Sequence, residues 1–286
     1  EHPGLLSHLT PSAGLDPERA LESLRRPLSP PAMAALDMAL HDMWARRRGR
    51  PLHQLWGLDP ACCPVSSFTI AMDDDDQNYR RRVRGARRFG LLKLKLGSGE
   101  LDRDLELAHM AHEEAPGSRL CLDANGGWTP GQTCRALELL APLDLLFVEQ
   151  PVSAELGAEG WRAVRRDLGP GAPPLMADES FQEEADLGWL QGLADGINVK
   201  VSKAGGLAPA ARAMRAARGL GMKVLLGCMI ESSLGVTAAA QLAPLCDMAD
   251  LDGHLLVQDD PFFGLEVDEA GEVRLPDLPG LGVEPR

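Results

Sequence analysis

Leu91-Leu92-Lys93-Leu94-Lys95-Leu96-Gly97, the helical run Leu101–Glu114 and then Leu120-Cys121-Leu122-Asp123-Ala124-Asn125 form one strand–helix–strand unit. The outer runs are short and apolar enough for buried strands, whereas the middle run spaces its apolar residues like an amphipathic helix. The same alternation extends in both directions. Candidate strands lie at Val65–Ala71, Leu91–Gly97, Leu120–Asn125, Leu145–Gln150, Leu175–Glu179, Ile197–Val201, Val224–Met229 and Met248–Asp252. Further helices are expected at Thr133–Ala141 and Pro209–Leu220. Eight such units predict an α/β fold, a (β/α) TIM-like barrel. A doubly wound open sheet is the alternative. It usually has fewer strands and often a Gly-rich phosphate turn after the first strand, which this chain lacks.

Upstream, Ser29-Pro30-Pro31 reads as a helix start, and Met33, Leu36, Leu40, Met43 and Trp44 recur at helical spacing until Gly49-Arg50-Pro51. Downstream of Asp252 the chain is punctuated by Pro261, Gly264, Gly271, Pro276, Pro279 and Gly280. The expected divisions are 1–60, 61–254 for the barrel and 255–286 for a tail packed outside it, beside the N-terminal helix.

A net charge of −13 over 286 residues argues against nucleic acid as the main partner. The arginines at 80, 81, 82, 84, 87 and 88 follow Asp73–Asp76 and read as the solvated body of a helix with an acidic start. The six cysteines show neither a C-x-x-C pair nor zinc spacing, which suits reduced thiols in a cytoplasmic protein. No apolar stretch is long enough for a membrane helix. Glu1-His2-Pro3-Gly4 reads as neither a signal peptide nor a natural start, so the true N-terminus is expected upstream. A homo-oligomer is left open.

Charged residues normally avoid buried parallel strands, yet they recur here at strand C-terminal ends: Lys93 and Lys95, Asp123, Glu149, Asp178, Lys200, Asp250 and Asp252, with Glu231 just past the seventh strand. That end of a barrel carries the active site. Asp123, Glu149 and Asp178 come from three consecutive strands with no His or Cys beside them. Oxygen ligands alone point to a hard cation, Mg²⁺ first; the competing reading is ion pairs to the lysines. Lys95 and Lys200 lie across the mouth from each other. A neighbouring cation and Lys93 are expected to lower a lysine's pKa enough for it to act as a base.

These residues carry a resemblance. Leu92-Lys93-Leu94-Lys95 is similar to the K-x-K motif of the muconate-lactonising branch of the enolase superfamily. Leu122-Asp123-Ala124-Asn125, Val148-Glu149-Gln150-Pro151 and Ala177-Asp178-Glu179-Ser180 resemble its three metal-ligand motifs. Residues 198–206, Asn-Val-Lys-Val-Ser-Lys-Ala-Gly-Gly, resemble the motif of its second catalytic lysine. The match runs from about residue 29 to the end. The mandelate-racemase branch is set aside, because the seventh strand has no His. Within the branch, Asp250-Leu251-Asp252, Ser67-Phe68-Thr69-Ile70 and Cys228-Met229-Ile230-Glu231-Ser232 resemble the dipeptide epimerases of the L-Ala-D/L-Glu type.

The resemblance implies one Mg²⁺ on Asp123, Glu149 and Asp178. Lys95 and Lys200 would then move a proton α to a carboxylate on opposite faces of an enediolate. Thr69, Lys93, Asp250 and Asp252 would contact a dipeptide substrate, the two aspartates holding its α-ammonium group, and Asn125, Glu179, Lys203 and Glu231 would support them. It also implies an α+β capping domain, of which only the helical part, about residues 15–57, is legible, completed by the C-terminal tail. The segment Glu1–Ala13 does not reveal the loop that would read the substrate side chain. His254 is read equally as a mouth contact or a solvated loop residue. N-acylamino acid racemases, o-succinylbenzoate synthases and muconate cycloisomerases share the same lysines and ligands. A Schiff-base lysine and a non-catalytic binding barrel are the more distant alternatives.

Overall fold

In a computed structural model of the chain, which describes residues 16–22 and 28–286, eight parallel strands follow one another in sequence order around a barrel. They are β1 (Phe68–Ile70), β2 (Leu91–Lys95), β3 (Arg119–Asp123), β4 (Val148–Glu149), β5 (Leu175–Ala177), β6 (Gly196–Lys200), β7 (Lys223–Gly227) and β8 (Met248–Asp250). The seam between β8 and β1 is closed by a bridge between Ser66 and Ala249 and by the Ser67 N–H, which donates to the Ala249 carbonyl at 3.0 Å. The segment Glu1–Ala13 lies outside the described residues. Among the described residues no helix is long and apolar enough to cross a membrane.

The strand period of two builds the interior in layers. Leu91, Cys121, Phe147, Met176, Leu225 and Met248 form a separate buried apolar cluster. Two residues further along the same six strands stand Lys93, Asp123, Glu149, Asp178, Gly227 and Asp250. The polar layer therefore rests on an apolar one, as a filled barrel requires. Register aligns it laterally: Lys95 pairs with Asp123, Asp123 with Glu149, Lys200 with Gly227 and Gly227 with Asp250.

Several strands are shorter than their apolar runs suggest. The runs at 65–71, 145–150, 175–179 and 248–252 keep three, two, three and three ladder residues. Pairing stops where each chain turns outward, so Asp178 and Asp252 stand just beyond their strands, where loop hydrogen bonds orient them.

The helices are α1 (Pro17–Glu22), α2 (Pro30–Arg47), α3 (Leu52–Leu55), α4 (Asp76–Ala86), α5 (Leu101–Glu114), α6 (Pro130–Leu139), α7 (Gly157–Asp167), α8 (Leu187–Leu190), α9 (Val201–Ala204), α10 (Leu207–Gly219) and α11 (Ser233–Ala240). α6 starts earlier than 133 because Thr129 and Gln132 form a reciprocal capping box. α4 opens on Asp75, which caps the Gln77 and Asn78 amides. Three of its arginines are paired: Arg80 and Arg84 with Glu114, and Arg82 with Asp73. α2 departs most from expectation. Its fully buried face is Ala34, Asp37, Leu40, His41 and Ala45; of the expected series only Leu40 is fully buried, Met33, Leu36, Met43 and Trp44 being half-buried, and Asp37 accepts a 2.7 Å bond from the Leu207 amide at the start of α10.

In the tail, β9 (Phe262–Phe263) pairs with β12 (Glu284–Pro285), and β10 (Glu266–Val267) with β11 (Val273–Arg274). The tail returns to α2 and α3: Arg46 donates to the Val283 carbonyl at 2.8 Å, and the Leu52 amide to Gly280 at 2.9 Å.

The buried apolar layer should dominate local stability. Phe147→Ala should lower the unfolding free energy by about 3–5 kcal/mol, whereas Leu139→Ala, on the exposed side of α6, should cost under about 0.5 kcal/mol. Chemical denaturation of both variants measures the contrast.

Candidate active site

Lys93 lies at the centre of the polar layer, 1% exposed. Its Nζ is 2.7 Å from Glu149 Oε2, 2.7 Å from Asp250 Oδ2 and 3.2 Å from Asp123 Oδ2. Burial alone would strip its proton, but the charges of Asp250, Glu149 and Asp123 outweigh it and raise the pKa well above the ordinary lysine value. Lys93 is thus an ammonium hub joining β2 to β3, β4 and β8. It lies deep in the barrel, fully enclosed by these carboxylates.

The remaining lysines pair outward. Lys95 Nζ donates to Asp123 Oδ2 at 2.6 Å, Lys200 Nζ to Asp178 Oδ2 at 2.7 Å and Lys203 Nζ to Asp178 Oδ1 at 2.6 Å. Lys95 and Lys200 stand on strands four places apart in a ring of eight, hence on opposite sides of the mouth. Their side chains are 32% and 10% exposed, so both can meet a ligand. For Lys200 two influences on the pKa compete. Burial pulls it down, but Asp178 and Glu149 raise it beyond the ordinary lysine value.

Among the described residues no three acidic, imidazole or thiol groups converge into a ready-made metal cage. The reason is visible in the pairing: each expected ligand leans toward a lysine. Burial opposes ionisation of Asp123 and Asp178, yet Lys93 and Lys95 hold the first, and Lys200 and Lys203 the second, below the usual carboxylate range. Glu149 goes the other way. Burial and then the charge of Asp123 push it up to about 8, against the pull of Lys93. Its Oε1 accepts from Asn198 Nδ2 at 2.7 Å, while Oε2, although near Lys93, is buried without a hydrogen bond. The three carboxylates supply only oxygen donors, and Glu149 Oε2 meets the Lys93 ammonium alone. That set fits a hard divalent cation.

The aspartates of β8 divide. Asp250 is taken by Lys93 and by the Ser67 hydroxyl, which donates at 2.6 Å. Asp252 accepts only from the Thr69 side, its Oδ2 receiving the Thr69 amide at 2.6 Å. Burial and the charge of Asp250 raise Asp252 to about 6. Of the two, Asp252 keeps the less engaged carboxylate, beside Asp250.

The supporting residues are placed unevenly. The Asn125 amide donates to Asp123 Oδ1 at 3.0 Å from a left-handed backbone, φ 45°. Glu179 is half-buried and its Oε2 lacks a partner. Glu231 takes the Met229 amide at 3.2 Å and folds back over Gly235. His254 is buried in the field of Asp260, with its pKa lowered by that burial, so it is not a solvated loop residue.

Three contributors were not singled out from sequence. Asn198 orients Glu149, and Gly227 makes room for it, since a Cβ there would press on the Asn198 amide. Asp104, fully buried, accepts from the Gly97 and Ser98 amides and from Trp128 Nε1, tying the loop after Lys95 to the loop after Asp123. Gln150 links β4 to β5. Asn198 had a signal, lying two residues before Lys200 on the same strand face; Asp104 and Gln150 depend on contacts that no local pattern displays.

The family model described as Enolase C-terminal domain-like matches residues 77–286. An L-Ala-D/L-Glu epimerase of Bacteroides thetaiotaomicron is 37% identical over 256 residues, covering 88% of this chain and 64% of its own length. This chain thus spans about two thirds of that relative. A hydrophobic dipeptide epimerase of Roseobacter litoralis is 39% identical over 265 residues, covering 89% of this chain and 74% of the relative. The crystal structure of a dipeptide epimerase from Cytophaga hutchinsonii, complexed with Mg and the dipeptide D-Ala-L-Val, superposes with a TM-score of 0.81 at 29% identity, covering 89% of this chain and 70% of that one.

Removing the hub should leave its carboxylates buried and uncompensated. Lys93→Met should lower the unfolding free energy by about 3–5 kcal/mol at neutral pH. Urea denaturation at pH 7 tests this, and a loss below about 1 kcal/mol would show that the hub is not needed.

Proposed function

This chain belongs to the enolase C-terminal domain-like family, and from that membership we propose that it is an isomerase that epimerises dipeptides at the carbon next to their carboxylate. The observation that carries the reading is the opposed pair Lys95 and Lys200, each touching one carboxylate of the Asp123–Glu149–Asp178 set. Two bases on opposite sides of one carbon can take a proton from one face and return one to the other.

Asp123, Glu149 and Asp178 would hold one Mg²⁺. Bound there, the ion supplies positive charge to a substrate carboxylate whose negative charge grows as the neighbouring carbon loses its proton. The chain's own residues do the rest. Asn198 holds Glu149 in place, and Lys203 keeps a hydrogen bond to Asp178 when Lys200 turns to substrate. Lys93 secures Glu149 and Asp250 from below. Thr69 and Asp252 face a substrate's free amino end, Asp252 offering the negative charge and Asp250 its field. The names of the two relatives above, an L-Ala-D/L-Glu epimerase and a hydrophobic dipeptide epimerase, agree with an ammonium-bearing substrate, with L-Ala-D/L-Glu-like dipeptides as the first choice.

The substrate assignment is tested through Asp252. A charge-assisted hydrogen bond is worth roughly 1.5–3 kcal/mol, so Asp252→Asn should lower kcat/KM for free dipeptides about ten- to a hundredfold. N-acetylating the dipeptide should cost a similar amount, and the two changes together should be less than additive. Asp252 titrates near 6, above the ordinary aspartate value, and an ammonium binds its ionised form. Dipeptide affinity should therefore fall as the pH drops through about 6, and Asp252→Asn should lose that dependence. Faster turnover of N-acetylated amino acids than of free dipeptides would favour an acylamino acid racemase instead.

A further inference from the structure

We infer that Gln150 is a positioning residue that fixes the spacing between Glu149 and Asp178, the expected cation ligands at the ends of β4 and β5. The inference rests on the metal reading above and concerns how the chain prepares that site. The Gln150 side chain is fully buried and its amide is fully used. Oε1 accepts from the Asp178 amide at 3.0 Å and the Ser180 amide at 3.0 Å. Nε2 donates to the Val152 carbonyl at 2.7 Å and to Ser180 Oγ at 2.8 Å. Gln150 and Ser180 thus bind each other reciprocally, and Trp161 Nε1 of α7 donates to the same Ser180 Oγ at 3.1 Å.

The backbone of Gln150 joins the third ligand's loop. Its N–H donates to the Met176 carbonyl at 2.8 Å, and its own carbonyl accepts from the Gly126 amide, in the turn after Asp123, at 2.7 Å. One residue thereby touches the loops that follow all three carboxylates. It does so with φ 37°, a left-handed conformation that costs a non-glycine residue about 1 kcal/mol or more and persists only where surroundings enforce it. Four side-chain hydrogen bonds and a buried setting are that enforcement. A cation bound between carboxylates of two strands needs their separation held to a fraction of an ångström, and groups behind the ligands commonly set it.

The test compares Mn²⁺ binding to the full chain by the loss of its free-ion EPR signal, alongside thermal melting. Gln150→Met keeps the volume and removes all four bonds; it should weaken Mn²⁺ binding about ten- to a hundredfold. Gln150→Asn keeps an amide and tolerates positive φ, but is too short to span both strands; it should fold and weaken binding in the same direction. Gln241→Met is the matched control. Gln241 is also fully buried and bonded to His53 and to the Leu281 carbonyl, away from the mouth. It should lose comparable thermal stability with unchanged Mn²⁺ affinity. Wild-type affinity in Gln150→Asn, or equal weakening in Gln241→Met, would overturn the positioning role. If the wild-type chain binds no Mn²⁺, the metal reading itself fails, and this inference with it.

Discussion

The buried ammonium of Lys93 sets the terms for the whole mouth of the barrel. An unpaired charge in a packed interior costs several kcal/mol, so a lysine inside must be surrounded by carboxylates. Here the partners arrive from β3, β4 and β8, and the one cation draws three strand ends to a common point. Because Lys93 and Ser67 take Asp250, Asp252 keeps the less engaged carboxylate of the two, its pKa raised by burial and then by the charge of Asp250. The same hub keeps Glu149 beside Asp123, where mutual repulsion would otherwise separate them.

On that base the working groups form a second, looser tier. Lys95, Lys200 and Lys203 are partly exposed and bound to carboxylates by single contacts. An ion pair of this kind is easily exchanged for a ligand, whereas one at the Lys93 level is not. The division suits a site in which the carboxylates stay in place while the lysines handle protons. Paired in this way, Lys200 has a raised pKa, because the charges of Asp178 and Glu149 outweigh its burial.

The barrel and this charged ring were legible in the sequence because both rest on a local period. Alternation of strand and helix gives the architecture, and charges two residues beyond apolar interior positions, such as Asp123 beyond Cys121 or Glu149 beyond Phe147, give the mouth. Pairing was not legible. Nothing local says that Lys93 goes below to Asp250 while Lys95, two residues on, goes to Asp123. Strand ends were missed where loop hydrogen bonds replace the ladder, as at Asp178, whose amide binds Gln150. Asp37 looks like a solvent residue of an amphipathic helix; its burial is decided by the start of α10, 170 residues away. Such long-range satisfaction of backbone amides belongs to tertiary structure and leaves no periodic trace.

The two opposed lysines are the centre of the proposed reaction. In D₂O with Mg²⁺, the exchange of a dipeptide's C-terminal α-proton can be followed by mass spectrometry and NMR for each epimer separately. Wild-type protein should exchange and invert both epimers. Lys95→Ala and Lys200→Ala should each abolish inversion, each retaining exchange of only one epimer, and of opposite ones. Equal loss of exchange for both epimers in both variants, or inversion surviving either substitution, would contradict it.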